Sequence, residues 1–241
     1  MAPGCLLYYV GLDKKLKNIT HHSLFFDVDF EIIETIVPKD NTIFITDKNI
    51  YTAHRDKFSG WEIIVIAPGE QFKNQETANY IIARLIEMHA DRQTFIVGIG
   101  GGVITDITGF VASVYMRGVR FGFVPTSILA MVDASIGGKN GIDVGVYKNL
   151  VGVINHPEFL LYDYTLLETL PDREWINGFA EIIKHADRKY KAMFTLLQEK
   201  YLMKFQASAE MTGKLIRRNV EIKYNVAVND ERETGERKLL N

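Results

Sequence analysis

Up to about residue 165, the chain alternates between short apolar runs and longer amphipathic stretches. The apolar runs are rich in β-branched and aromatic residues, as is typical of buried strands. They are Asn41–Thr46, Trp61–Ala67, Thr94–Ile99 and Arg120–Pro125. Two intervening stretches, Gln75–His89 and Val103–Met116, carry apolar residues at helical spacing. Strands that alternate with helices predict an α/β fold with a mostly parallel sheet, which binds ligands at the carboxyl ends of its strands.

The pattern changes near Tyr164. From Leu166 onward glycine is rare, and the stretches Asp172–Ala186, Lys189–Lys204 and Ser208–Asn229 have the pattern of amphipathic helices. The sequence therefore predicts an α/β domain over residues 1–164 and part of an all-α domain over residues 165–241. Because the apolar faces of these helices need a cover, we expect further sequence downstream.

A glycine-rich turn joins the third apolar run to the second predicted helix. Gly98–Gly102 allows the backbone to approach a phosphate closely, and the following helix offers N–H groups and the positive end of its dipole. A pyrophosphate would bind here, although a tight connection without a ligand has the same pattern. Asp47, at the end of the first run, could accept a hydrogen bond from a ribose hydroxyl or act as the N-cap of the next helix. The two roles are compatible.

Cations and glycines are concentrated between Arg117 and Asn149. Arg117, Lys139 and Lys148 each lie beside a glycine or an amide residue. One such lysine alone would be interpreted as a solvated surface charge, but the set suits a small polyanionic substrate. Asp133 would stay ionised among these cations and could orient them.

Within Gly178–His185, Glu181 and Lys184 share one helix face. A surface ion pair would have this pattern, but the apolar neighbours of Glu181 indicate a half-buried carboxylate that needs a cation or a metal. We interpret His185 as structural and expect it to point away from Glu181. The other histidines lack metal-ligand spacing, so Glu181 is one credible ligand where a catalytic zinc usually has three.

Composition excludes several classes of protein. The net charge of −2 argues against nucleic acid as the main partner, and the single cysteine excludes a disulfide framework. No apolar run approaches the roughly 18 residues of a membrane helix, and the N-terminus lacks the basic start of a signal peptide. We therefore expect a cytoplasmic protein that binds neither nucleic acid nor a membrane.

Five segments together resemble one enzyme family. They are GGGVITDITGFVASVYMRG, VPTSILAMVDASIGGKNGID, YKNLVG, GFAEIIKH and NDERETGERKLLN, and they occur in the order and spacing of 3-dehydroquinate synthases. The resemblance implies a Rossmann-like NAD-binding domain, a helical domain, a catalytic NAD and a divalent zinc or cobalt ion. It also implies conversion of 3-deoxy-D-arabino-heptulosonate 7-phosphate, a sugar phosphate of the shikimate pathway, to 3-dehydroquinate.

The resemblance also implies roles for individual residues. Residues that match the family's NAD contacts are Asp47, Asn49, Glu70, Lys73, Gly101, Gly102, Val103, Asp106, Thr126, Ser127, Lys148 and Thr169. Residues that match substrate contacts are Asp133, Lys139, Asn149, Lys184, Lys223, Arg237 and Asn241. Glu181 matches the metal-binding glutamate. Arg117 matches an arginine that reaches the neighbouring subunit's substrate, which implies a homodimer.

Three other interpretations remain open. A related cyclase such as 2-deoxy-scyllo-inosose synthase would use the same machinery on another sugar phosphate. A glycerol dehydrogenase-like enzyme would have the same fold, but it does not account for the YKN and GGK motifs. In the family, the segment LLN precedes a motif with two metal-binding histidines, and this chain ends at Asn241. We therefore also consider a truncated NAD-binding module, and expect the 241-residue chain alone to bind NAD weakly and turn over little.

Overall fold

The computed structural model describes residues 23–189, 202–230 and 235. Its main sheet has six strands in the order β1-β8-β5-β4-β2-β3, and every paired neighbour is parallel. The strands of this sheet are β1 (Ser23–Phe26), β2 (Thr42–Asp47), β3 (Glu62–Ile66), β4 (Phe95–Gly100), β5 (Arg120–Pro125) and β8 (Phe159–Tyr162). The predicted α/β class with a mostly parallel sheet is confirmed. Neither β1 nor β8 was predicted from the sequence.

Helices cover both faces of this sheet. They are α1 (Ile33–Ile36), α2 (Lys48–Ala53), α3 (Gln75–Glu87), α4 (Gly102–Val114), α5 (Asp172–Lys189), α6 (Leu202–Gln206) and α7 (Ala209–Asn229). Successive residues of β2 point to opposite faces, so Ile43 and Ile45 join one buried cluster and Phe44 joins the other. The first cluster continues from the sheet through α4 into α5 and α7, and this continuity holds the helical part against the sheet.

The strand order creates a crevice at one edge of the sheet. The chain passes from β2 outward to β3, and then returns to β4 and continues in the opposite direction to β5. The carboxyl ends of β2 and β4 therefore flank a topological switch point, where open α/β sheets bind their ligands. Asp47 ends β2, and the glycine turn follows β4.

A separate antiparallel hairpin lies against α4. It consists of β6 (Lys139–Val144) and β7 (Tyr147–Ile154), and the sequence analysis treated this region only as a polar cluster. A Cβ atom at Gly109 of α4 would overlap the side chain of Asn140 on β6, so the absence of a side chain at Gly109 permits this close packing. The hairpin therefore packs on α4, the helix that begins at the glycine turn.

The helical part packs closely on the segment after β5. A Cβ atom at Gly178 of α5 would overlap Ile128 and lie 2.9 Å from the backbone nitrogen of Leu129. The predicted helix Asp172–Ala186 is confirmed within α5, and Ser208 is the N-cap of α7. Most of the predicted helix over residues 189–204 lies outside the described residues. Within the described ranges, none of the helices combines the length and the apolar character needed to cross a bilayer.

Candidate active site

The glycine turn at the switch point packs closely on α4 and lies beside the segment after β5. A Cβ atom at Gly100 would lie 2.5 Å from Ile104, and one at Gly101 would lie 3.5 Å from the Ser127 hydroxyl. The Thr126 amide donates to the Gly100 carbonyl (2.9 Å), which places Thr126 and Ser127 beside the turn. The first N–H groups of α4 have no partner within the helix, so the turn, Val103 included, offers donors for an anion.

Asp47 lies across the switch point from this turn. Its Oδ1 accepts from the amides of Asn49 (2.8 Å) and Ile50 (3.1 Å), which confirms the predicted N-cap of α2. Burial raises the pKa of Asp47, and the two amide hydrogen bonds offset part of that rise. A contact between Asp47 and a ribose remains a prediction.

Lys73 is the centre of a buried ionic group, here called the Lys73 cluster. Its Nζ donates to Asn149 Oδ1 (2.7 Å) and Asp106 Oδ2 (3.2 Å), and lies 3.8 Å from Asp143 Oδ1. Glu70 lies at its edge, 3.7 Å from Lys73 Nζ and 3.1 Å from Lys148 Nζ. Side chains from the 70–74 turn, α4 and the hairpin therefore meet at one point. Five predicted site residues meet here, namely Glu70, Lys73, Asp106, Lys148 and Asn149.

Backbone contacts tie the hairpin to this cluster. The Asp143 amide donates to the Lys73 carbonyl (2.7 Å), and the Asn149 amide donates to Asp143 Oδ1 (2.8 Å). Asn149 has a φ of 52°, a left-handed conformation that asparagine adopts more readily than most residues. Asp143 was not among the predicted site residues. The sequence feature that could have indicated Asp143 as a site residue was its position after the glycine in the KNGID motif.

Burial dominates the electrostatics of Asp106. It raises the pKa of Asp106 to about 6, and the nearby Lys73 ammonium lowers it only in part. The carboxyl group of Asp106 therefore changes charge in a range close to neutral pH.

A second cluster, here called the Glu181 cluster, is formed by three elements. Asp133 lies in the π-helical turn Ala130–Ala134, which follows β5, and such turns are frequent at functional sites. Lys223, from α7, forms an ion pair with Asp133 Oδ1. Glu181 and Lys184 lie on α5, with Lys184 Nζ 2.7 Å from Glu181 Oε1. The structure thus brings together four predicted residues from three separate regions of the chain.

The expectation for the direction of His185 is wrong. His185 follows Glu181 by four residues, so both lie on one face of α5, and His185 Nε2 is 2.9 Å from Glu181 Oε1. The same nitrogen lies 3.8 Å from Asp133 Oδ1. On the opposite side of the ring, Nδ1 lies 3.2 Å from Asn219 Oδ1 on α7. The structure therefore adds an imidazole to this cluster.

The Glu181 cluster has the donor set of a divalent metal site. Asp133, Glu181 and His185 each offer one ligand atom, and these atoms lie within 4.8 Å of one another. Glu181 Oε1 forms an ion pair with Lys184 Nζ (2.7 Å) and lies 2.9 Å from His185 Nε2. Burial alone would raise the pKa of Glu181, but His185 and Lys184 outweigh it and hold that pKa below its usual value. Two carboxylates and an imidazole suit zinc or cobalt.

The two clusters are connected through the glycine turn. A Cβ atom at Gly102 would lie 3.2 Å from the Cβ atom of Ala134, the residue that follows Asp133. The π-helical turn that carries Asp133 therefore packs directly on the first residue of α4. The candidate phosphate-binding turn therefore lies next to the segment that carries the candidate metal ligand Asp133.

Other predicted residues lie away from these clusters. Arg117 is exposed at the far end of α4, whose 13 residues span about 20 Å from the glycine turn. Lys139 is exposed at the start of β6, where it pairs with Ile154 of β7. Thr169 is exposed, and its Oγ1 lies 2.8 Å from His54 Nε2. Arg237 and Asn241 lie outside the described residues.

Two family models cover most of the chain. The model described as 3-dehydroquinate synthase N-terminal matches residues 63–177, and the model described as 3-dehydroquinate synthase C-terminal matches residues 178–241. Curated relatives carry the same description. The 3-dehydroquinate synthase of Alkaliphilus metalliredigens is 34% identical over an alignment of 240 positions that covers 95% of this chain and 67% of the relative. The pentafunctional AROM polypeptide of Komagataella phaffii is 38% identical over an alignment of 266 positions that covers 96% of this chain and 17% of that relative.

This chain therefore spans between about a sixth and two thirds of the length of these two relatives. Two solved structures have a similar fold. The 2-epi-5-epi-valiolone synthase of Streptomyces hygroscopicus, with NAD+ and Zn2+ bound, has a TM-score of 0.80 and 26% identity over 95% of this chain and 67% of its own. A 2-deoxy-scyllo-inosose synthase, complexed with carbaglucose-6-phosphate, NAD+ and Co2+, has a TM-score of 0.74 and 24% identity over 90% of this chain and 63% of its own.

Proposed function

Because the chain belongs to the 3-dehydroquinate synthase family, we propose that the protein converts 3-deoxy-D-arabino-heptulosonate 7-phosphate to 3-dehydroquinate and phosphate, with a catalytic NAD and a divalent metal. The observation that carries this proposal is the contact between Gly102 and Ala134. It joins a dinucleotide-type glycine turn to a cluster with the ligands of a metal, as oxidation of a metal-bound alcohol requires.

The first part of the proposal concerns NAD. When bound, NAD supplies a hydride acceptor for one substrate hydroxyl and later returns the hydride. The glycine turn would hold its pyrophosphate through the N–H groups of α4, and Asp47 would accept from a ribose hydroxyl. The Lys73 cluster would fix the hairpin against α4, because its ionic contacts link three elements beside the turn.

The second part concerns the metal and the substrate. When bound, a zinc or cobalt ion would polarise the hydroxyl that is oxidised, and Glu181 is the ligand carried over from the family. Lys184 and Lys223 already lie beside the two carboxylates, where they would bind the anionic groups of the substrate. Lys139 and Asn149 are the hairpin residues that the resemblance assigns to the substrate, and donors of this kind help a leaving phosphate to depart.

The third part concerns assembly and location. We propose a homodimer in which the partner subunit's Arg117 reaches the substrate, since in its own chain this residue lies at the end of α4 opposite to the glycine turn. The exposed apolar side chains Val114 and Met116 flank it, as suits a contact between copies. We also propose that the enzyme is cytoplasmic. Sedimentation analysis that gave a monomer at assay concentrations would refute the shared site.

The test is release of phosphate from 3-deoxy-D-arabino-heptulosonate 7-phosphate by the full-length gene product with NAD and Zn2+ or Co2+. Glu181→Gln keeps the shape of the side chain and removes its charge, and we expect it to lower kcat at least 1,000-fold, as loss of a metal ligand does. Glu210→Gln is the matched control, because Glu210 is exposed and pairs only with Lys214 among the described residues. If the wild-type protein binds NAD but releases no phosphate from this substrate, the proposal fails, and other sugar phosphates become the candidates.

A further inference from the structure

We propose that Asp143 is a positioning residue for the substrate. Together with Lys73, it fixes Asn149 so that the side-chain amide of Asn149 presents its N–H donors to an oxygen of the sugar phosphate. The inference rests on the proposed function for the identity of this ligand, whereas the positioning itself is a property of the hairpin. None of the residue roles that the resemblance implies falls on Asp143.

The first step is a bulge in the hairpin. The register of β6 and β7 shifts at Asp143, which lies alone opposite residues 148–150 of β7. Bulges interrupt the alternation of side chains along a strand, and they are over-represented next to active sites, where they change the direction of a side chain. Lys148 and Asn149, which the resemblance assigns to NAD and to the substrate, both lie in this bulge.

The second step is the backbone conformation within the bulge. Asn149 has a φ of 52°, which lies in the left-handed region and outside the extended range of a strand. Asp143 Oδ1 accepts a hydrogen bond from the Asn149 amide (2.8 Å), so the carboxylate holds this conformation from the opposite strand. Asp143 is anchored in turn, because its amide donates to the Lys73 carbonyl (2.7 Å) and its Oδ1 lies 3.8 Å from Lys73 Nζ. The position of Asn149 is therefore set through Asp143.

The third step is the direction of the Asn149 side chain. Lys73 Nζ lies 2.7 Å from Asn149 Oδ1, and because an ammonium group can only donate, the amide oxygen must face the lysine. Lys73 is itself buried and also donates to Asp106 (3.2 Å), so its ammonium group is a fixed point. The Nδ2 group of Asn149 then lies on the other side of the amide. It is a donor without a hydrogen-bond partner among the described residues, on a residue that is exposed.

The chemistry of this donor defines what it binds. An N–H2 group binds only acceptors, and the oxygens of a phosphate or a carboxylate are the strongest acceptors that a sugar phosphate offers. Lys148 adds a positive charge to the same bulge, with its Nζ 3.1 Å from Glu70 Oε1. Asp143 is half-buried and its Oδ1 is occupied by the Asn149 amide, so it acts through Asn149 and not on the substrate directly.

The test compares two variants of the full-length protein. Asp143→Ala removes the acceptor, whereas Asp143→Asn keeps an oxygen acceptor and removes only the charge. We expect Asp143→Ala to lower kcat/KM for the sugar phosphate about 100-fold, with a rise in KM of about 10-fold, and Asp143→Asn to stay within about 5-fold of the wild type. Loss of folded protein alone would lower kcat and leave KM unchanged. NAD affinity should change less than about 3-fold, because Lys73 still donates to Asp106.

Asp91→Ala is the matched control. Asp91 Oδ1 accepts hydrogen bonds from the amides of Gln93 (2.8 Å) and Thr94 (3.0 Å), which is the same kind of contact. These residues precede β4, at the opposite end of that strand from the glycine turn. The control variant should therefore keep both kcat and KM of the wild type.

Amide hydrogen exchange of the full-length protein without substrate tests the positioning independently of turnover. The Asn149 amide should exchange about 10-fold or more faster in Asp143→Ala than in the wild type, and Asp143→Asn should retain most of the protection. An unprotected Asn149 amide in the wild type would overturn the proposal, even where Asp143→Ala does not fold.

Two kinetic results would also overturn the proposal. One is an unchanged KM in folded Asp143→Ala, and the other is a loss in Asp143→Asn as large as that in Asp143→Ala. If the wild type releases no phosphate from this substrate, the proposed reaction fails. The exchange of the Asn149 amide would still decide whether Asp143 holds the bulge.

Discussion

The Lys73 cluster and the Glu181 cluster combine the same types of charge in opposite ways. In the first, a buried ammonium is surrounded by carboxylates and an amide, and it donates hydrogen bonds to two of them. In the second, two carboxylates, each paired with a lysine, converge with an imidazole. The first network therefore converges on a lysine of the protein itself, whereas the second brings three possible metal-ligand atoms within 4.8 Å of one another.

The largest change in the free energy of unfolding is expected when Lys73, the central cation of the Lys73 cluster, is removed. Lys73→Met would leave Asp106 and Asp143 without their shared ammonium, and breaking a buried ion pair in this way costs about 3–5 kcal/mol. Urea denaturation at neutral pH measures this change in the free energy of unfolding. Lys73→Met combined with Asp106→Asn should recover part of the loss. A single variant as stable as the wild type would show that the cluster does not stabilise the fold.

The next prediction concerns the stability that a bound metal would add at the Glu181 cluster. Metal at 100 times its Kd should raise the free energy of unfolding of the wild-type protein by about 2.7 kcal/mol. Glu181→Gln should abolish this gain, while changing the stability of the metal-free protein by less than about 1 kcal/mol, because the ion pair that it loses joins Glu181 to the partly exposed Lys184. Thermal unfolding with and without Zn2+ measures both quantities. If Glu181→Gln greatly destabilised the metal-free protein, the Glu181 cluster would stabilise the fold in the same way as the Lys73 cluster.

A smaller effect, on ligand affinity, is expected from a change that moves α5, because α5 carries part of the Glu181 cluster and none of the Lys73 cluster. Gly178→Ala would push α5 away from Ile128 and Leu129, at a cost of about 1–3 kcal/mol. Because α5 carries Glu181 and His185, metal affinity should fall, whereas the Lys73 cluster and NAD affinity should change little. Chelator competition and NAD titration on one sample give the two values. Equal losses of both would contradict independent positioning.

The smallest effect concerns pH. Burial raises the pKa of Asp106 to about 6, from an ordinary value near 3.8, so between these values the folded state holds more protons than the unfolded state. The contribution of Asp106 to stability therefore falls as pH rises from about 4 to 6. Relative to Asp106→Asn, we expect the wild type to lose stability on the order of 1 kcal/mol over this range. Denaturation series at four or five pH values would show the opposite slope if Lys73 controlled this carboxyl group.

Several elements of the fold could be predicted because one physical signal marks them. The β2, β4 and β5 strands are continuous apolar runs, since a parallel sheet buried on both faces leaves no polar side to alternate with. The hairpin lacked that signal, because β7 is exposed along most of its length and carries glycine, lysine and asparagine. The division of domains after residue 164 and the individual ligand contacts remain predictions.

In the candidate site, too, features marked by a local pattern could be predicted, whereas contacts between residues distant in sequence could not. The glycine turn, the cap at Asp47 and the carboxylate Glu181 were found from local patterns, and the four-residue step from Glu181 to His185 was also in the sequence, although we judged its direction wrongly. No local pattern could join Lys73 to Asp106 and Asn149, which are 33 and 76 residues away, or Lys223 to Asp133, which is 90 residues away. Periodicity and turn chemistry act over a few residues, so the sequence alone determined strands β2 to β5, the long helices and the family. The balance of buried charge depends on which distant side chains share a low-dielectric interior, and only the tertiary structure decided that.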